Sequence, residues 1–211
     1  MQAIENINLN IDLYLCDKKK SLVANLISLK KNKKINVFSL SKKDIIKSFD
    51  LCIIATTSEV RLKILKKVLK KFKIKKFVLE KILCQSINEL KDLIKLKNKY
   101  NFKSWISCHR CLWSDYISLK KKINTKNVDN FLFHVIGARW NIASNSIHFM
   151  HLANFLFGPQ NYKKSNFEIK KNIKWKESKR KNFFDFQGSI KFLFQNNSKI
   201  ILEDVFKKDR K

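Results

Sequence analysis

The chain has 211 residues, enough for one large domain or two small ones. Its 45% hydrophobic and 12% aromatic content can build a core and argues against disorder. Three Gly and one Pro exclude collagen-like, Gly/Ser-linker and Pro-rich classes. Gly137, Gly158 and Gly188 are too far apart for a G-x-G-x-x-G turn or a P-loop within these residues. The net charge of +29 sets 46 Lys and Arg against 17 Asp and Glu, yet only five of the 46 are Arg. The Lys run along the whole chain in pairs and triplets. A solvated basic surface is therefore expected, and nucleic acid is disfavoured as a partner.

In chain order, Ile11 to Cys16 reads as a strand and Lys18 to Lys31 as a helix with an imperfect apolar face. Ile35 to Phe38 is a short strand. Ser41 and Asp44 resemble a capping box for a short helix through Phe49. Leu51 to Ala55 is a continuous apolar run, expected to be a parallel strand buried on both faces. Thr57 or Ser58 caps a helix running to about Lys73. Its basic face invites a membrane or partner groove, but flanking apolar strands favour packing on a sheet. Lys76 to Leu79 is a strand, Ser86 to about Lys99 a helix, and Ser104 to Ser107 a strand.

Beyond Trp113 the alternation ends. A helix to about Ile123 precedes a strand from Val128 to Ile136. A second helix, from about Ala143 to Phe157, stops at Gly158-Pro159. The remainder reads as strands at Phe167–Ile169, Phe183–Phe186, Ile190–Phe194 and Ile200–Leu202, with Asn196-Asn197 as a hairpin turn. The expected class is α/β, a Rossmann-like parallel sheet over residues 1–112. An α+β domain with a mainly antiparallel sheet follows over residues 113–211.

Nothing in the first ten residues reads as a signal peptide, and no run of ~18 apolar residues reads as a membrane span. Cys16, Cys52 and Cys84 lie in or beside apolar runs, where a thiol acts as a small hydrophobe. A cytoplasmic location is expected. Cys108-His109-Arg110-Cys111 has the C-x-x-C spacing. With His148 and His151 it could hold zinc on paper, but there is no second C-x-x-C, and no metal is expected.

The segment Asp50 to Ile82 places Ala55-Thr56 at the end of one strand and Glu80-Lys81 at the end of the next, across a helix. Ser107-Cys108-His109-Arg110 and the helix around His148 follow in order. This arrangement resembles the glucose–fructose oxidoreductase / inositol dehydrogenase / MocA family (Gfo/Idh/MocA). The resemblance implies an NAD(P)-dependent oxidoreductase moving a hydride at a sugar or cyclitol carbon. It makes Lys81 and His148 the catalytic pair and assigns Ala55, Thr56, Thr57, Glu80 and Lys81 to the cofactor. It assigns Arg110, Trp140 and Asn145 to substrate and implies a homo-oligomer through the C-terminal sheet.

Asp17, at the end of the first strand, suits the ribose hydroxyls of NAD, or alternatively caps the next helix. Lys18 to Lys20 could accept a 2′-phosphate, so Asp17 favours NAD only slightly over NADP. Three departures stand out. Ile82 replaces the family's Pro, His151 replaces the Asp three residues after His148, and Ser144 replaces the Asp four residues before it, where a hydroxyl cannot stabilise an imidazolium as a carboxylate does.

Met1 to Ile4 resembles the end of the family's first helix. The chain is thus expected to be N-terminally truncated, without the first strand and Gly-rich turn that cradle the pyrophosphate. An inactive remnant or scaffold is the alternative function, and a Lys-rich nucleic-acid binder a third. Two geometric expectations follow from the enzyme reading. The strands ending at Ala55 and Leu79 should be parallel neighbours, and Lys81 and His148 should face one cleft.

Overall fold

A computed structural model describes residues 6–28, 31–40, 47–124, 128–170, 175–177 and 183–205. The chain forms two compact units, residues 1–48 and 49–211. The first contains β1 (Ile11–Leu15), α1 (Lys20–Ser28) and β2 (Ile35–Ser39). The two strands pair in parallel, Ile11 opposite Ile35, as the crossover through α1 requires. Val23 and Ile35 supply the buried contacts, and Tyr14 stacks on Phe38 at 4.9 Å between ring centroids.

The second unit begins with β3 (Cys52–Ile54), α2 (Ser58–Lys71), β4 (Lys76–Leu79), α3 (Ile87–Tyr100) and β5 (Lys103–Ile106). The strands form a parallel sheet in the order β3-β4-β5, with Ile54 opposite Leu79 and Leu79 opposite Ile106. The strands ending at Ala55 and Leu79 are therefore parallel neighbours, as the sequence predicts. Leu65 and Leu69 of α2 and Leu93 of α3 close a core over Ile54, Phe77, Leu79 and Phe102. The helix apolar positions recur at three and four residues, which puts them on one stripe. Ser86 caps α3, its hydroxyl accepting from the Glu89 amide at 3.2 Å, and Asn101 ends the helix in the left-handed region.

One expectation for β3 needs correction. Ile54 is buried, but Ile53 is 57% exposed, so the strand is covered on one face only. Ile53, Val78 and Trp105 lie opposite one another in register on the open side.

The remainder comprises α4 (Ser114–Asn124), β6 (Leu132–Ala138), α5 (Ile142–Phe157), β7 (Asn166–Lys170), β8 (Trp175–Glu177), β9 (Phe184–Phe186), β10 (Gly188–Leu193) and β11 (Lys199–Val205). Four strands run in the order β6-β11-β10-β7; β6 and β11 are parallel and the other pairs antiparallel. Strands β8 and β9 make a separate antiparallel pair. Ile142 and Ala153 of α5 pack on Ile190, Phe192, Ile200 and Leu202 of the sheet.

The β10–β11 hairpin turns at Asn196-Asn197 as expected. Asn197 takes φ 63°, and Phe194 donates its amide to the Ser198 carbonyl at 2.9 Å. The architecture is α/β with parallel sheets followed by a mainly antiparallel sheet, as the sequence predicts. Among the described residues no helix is long and apolar enough to cross a membrane.

Other differences are local. Ser48–Phe49 is strand, not the end of a helix. The Trp175–Glu177 strand is not foreseen. The expected cap at Ser41 and Asp44 and the segment Met1 to Ile4 lie outside the described residues.

Candidate functional site

Residue Lys81 sits just beyond β4. The ladder extends one residue past the strand, because Glu80 donates its amide to the Ile54 carbonyl at 3.1 Å. Thr56 and Lys81 thereby sit beyond the same carboxyl edge of the parallel sheet, where open α/β sheets bind ligands. The two loops are tied together by Arg61 of α2, which is 1% exposed. Its guanidinium donates to the carbonyls of Thr56 and Ile82, and to that of Leu83 at 3.1 Å.

The Lys81 side chain reaches α5. Its ammonium donates to the Ser144 carbonyl and to Asn145 Oδ1, both at 2.8 Å. Asn145 is oriented for this, since its Nδ2 donates to the Trp140 carbonyl at 2.6 Å. His148 lies three residues further along the helix, one turn on, and is 7% exposed.

The start of α5 is held by acids from the sheet. Asp185, 2% exposed on β9, accepts the Ala143 amide at 2.7 Å and the Ser144 amide at 3.1 Å. Asp204 on β11 accepts the Asn141 amide at 2.9 Å. Both carboxylates meet the positive end of the helix, where orphan N–H groups need acceptors.

The His148 imidazole has no partner on Nδ1 among the described residues. Burial pushes its pKa down to about 4, and the positive charges of Lys81 and Arg110, then His109 and His151, push the same way. The ring is neutral near pH 7. His109 meets it edge-on at 5.9 Å between centroids. Arg110 lies over the Phe149 ring at 4.1 Å and over Trp113 at 5.9 Å. Ser144 does not stand in for a carboxylate, because its hydroxyl donates to the Asn141 carbonyl at 3.3 Å.

The other residues named from sequence divide into two groups. Thr56 Oγ1 is buried without a partner among the described residues, at the strand edge where a ligand is expected. Glu80 is half-buried, and Ala55 is exposed. Thr57 is the N-cap of α2 by position, but its hydroxyl donates to Glu59 Oε1 at 3.2 Å rather than to the helix. Trp140 is engaged structurally: its indole N–H donates to the Glu203 carbonyl at 2.6 Å, and its ring lies 3.1 Å from where a Cβ on Gly137 would stand. Asp17 belongs to the first unit and accepts the Lys19 amide at 2.8 Å, the contact expected of a residue opening α1.

The cysteines are free thiols. Cys111 donates to the Cys108 carbonyl at 3.5 Å, and burial raises the Cys108 pKa. Three side chains that hold the site's backbone escape the sequence reading: Arg61, Asp185 and Asp204. Faint signals exist. Arg61 is an Arg among lysines on an amphipathic helix, and Asp185 is an acid inside an aromatic strand.

No family model matches the sequence, and no curated protein matches it. Solved structures do share the fold. A super-repressor mutant of Gal80p from Saccharomyces cerevisiae is similar at TM-score 0.67 and 13% identity, over 95% of this chain and 61% of that one. The WlbA dehydrogenase from Chromobacterium violaceum, in complex with NADH and UDP-GlcNAcA, is similar at TM-score 0.65 and 13% identity, over 94% and 60%. An oxidoreductase from Bacillus cereus is similar at TM-score 0.62 and 15% identity, over 98% and 59%. At these identities the likeness is one of fold. The chain spans about three fifths of the length of each structure.

Proposed function

We propose that the chain is an NAD(P)-dependent oxidoreductase of the Gfo/Idh/MocA type, acting on a hydroxyl-bearing carbon of a sugar or cyclitol. The observation that carries this reading is the Lys81 ammonium. It leaves the carboxyl edge of a parallel sheet and is fastened to the helix turn that precedes His148. A cation and a buried neutral imidazole thus border one another, a pairing suited to moving a proton on and off a hydroxyl.

The residues present fit a nicotinamide at this edge, where the orphaned Thr56 Oγ1 and His148 Nδ1 await partners. Ala55, Thr56, Thr57, Glu80 and Lys81 would border the cofactor. When bound, the nicotinamide accepts or supplies the hydride. His148 takes the hydroxyl proton during oxidation and returns it during reduction. Lys81 steadies the oxygen as charge develops on it, Arg110 orients the substrate, and Trp140 and Asn145, whose hydrogen bonds go to the protein, shape the site around it. Residues 1–112 would serve the dinucleotide and residues 113–211 the substrate and a homo-oligomeric sheet contact, in the cytoplasm.

A second reading is a non-catalytic scaffold on the same fold. It is favoured by the charges acting on His148, which among the described residues are all positive. Calorimetric titration with NADH separates the two. The scaffold reading expects a Kd of ~1 mM or weaker; micromolar binding supports the enzyme. Lys81→Met should then abolish NADH-coupled turnover, and it should also weaken NADH binding, because the same ammonium borders the cofactor. Turnover that survives Lys81→Met removes the proposed role.

A further inference from the structure

We propose that the site around His148 takes an anionic small molecule, a sugar-sized oxyanion whose carboxylate or phosphate is held by the Arg110 guanidinium. This rests on the proposed site but not on its redox chemistry.

Four groups that are or can become cations converge here. Lys81 comes from the loop after β4, His109 and Arg110 from the turn of residues 109–112, and His151 from α5 itself. Each acts on His148, and among the described residues no carboxylate is one of the groups that do. Glu80 lies close enough to act on the Cys108 thiol, where Lys81 opposes it. The nearby buried acid Asp185 is already committed, since both its oxygens accept backbone amides of α5.

Arg110 is the informative member. It is half-buried against Phe149 and Trp113, and among the described residues its guanidinium makes no hydrogen bond or ion pair. A guanidinium carries five N–H donors in a fixed plane, matched to a carboxylate or phosphate. A cation partly removed from water without a counter-charge costs free energy that an anionic ligand would offset.

A second observation points the same way. His148 is more than nine-tenths buried, and its Nδ1 has no partner among the described residues. An anion beside the ring would oppose the surrounding cations and draw the imidazole pKa upward from about 4. The ligand's own charge would then bring the acid–base group toward its working range, a task the family's Asp would otherwise perform at the position of Ser144.

The test uses the 211-residue protein without dinucleotide. Calorimetry compares D-glucuronate, D-glucose 6-phosphate and neutral D-glucose, and NMR follows the His148 imidazole. At least one anion should bind about ten- to hundredfold more tightly than glucose. The preferred anion tells carboxylate from phosphate, and its binding should raise the His148 pKa. Arg110→Gln should remove the preference, and Arg110→Lys should restore part of it, with unfolding midpoints confirming that both variants fold. The proposal is overturned if glucose binds as well as both anions, if neither anion saturates, or if Arg110→Gln leaves anion binding unchanged. That last result would assign binding to the general Lys surface. A failed NADH titration would not affect any of these readouts.

Discussion

Replacing Asp185 by Ala should destabilise the 49–211 unit through one helix end. Its carboxylate is 2% exposed and accepts the amides of Ala143 and Ser144, and that of Phe186 at 2.9 Å. Hydrogen bonds to a charged group contribute ~1.5–3 kcal/mol each, and loss of an N-cap typically costs ~0.5–2 kcal/mol. These are not additive, because all three amides share one carboxylate and the exposed Ala143 end can be rehydrated. A net loss of ~2–4 kcal/mol follows. Asp185→Asn keeps one carbonyl oxygen and should lose about half as much. Urea unfolding followed by tryptophan fluorescence reports on this unit, since Trp105, Trp113, Trp140 and Trp175 all lie in it. With a slope of ~2 kcal/mol per molar urea, the Ala variant's midpoint should fall by ~1–2 M. A fall below ~0.2 M, or equal falls for Ala and Asn, would refute the capping argument.

Two other perturbations test the same region. Arg61→Met leaves the carbonyls of Thr56, Ile82 and Leu83 without their shared donor and should cost ~2–4 kcal/mol in urea unfolding; an unchanged midpoint would mean that solvent replaces the guanidinium at no cost. The folded pKa of His148 is about 4, below its ordinary 6.5, so the unfolded chain binds more protons between these values. Stability from this group is full above pH 6.5 and is lost as pH falls toward 4. His148→Gln should flatten that part of the stability–pH curve, and an unaltered slope would place the titration elsewhere.

Local chemistry made much of the fold legible. Lys76 to Leu79 and the Ser86-capped helix could be read within two residues, because apolar spacing and a capping hydroxyl act over one or two turns. The same holds for the Asn196-Asn197 hairpin, where Asn tolerates the positive φ the turn needs. Lys81 and His148 could be singled out from an ordered series of weak motifs, and the fold brings Lys81 onto the helix of His148.

What sequence could not supply is partnership across distance. That Asp185 rather than a local side chain holds the start of α5 depends on a strand about forty residues later meeting that helix. That Arg61 joins the ends of two strands depends on their being neighbours. Whether Ile53 is covered depends on what packs on the sheet's second face, which an apolar run cannot specify. The residue types at Ser144 and Arg110 show only that one carboxylate is missing and one guanidinium is present. Tertiary structure decides that no acid among the described residues compensates the charges on His148, because net electrostatics is a sum over neighbours from separate elements.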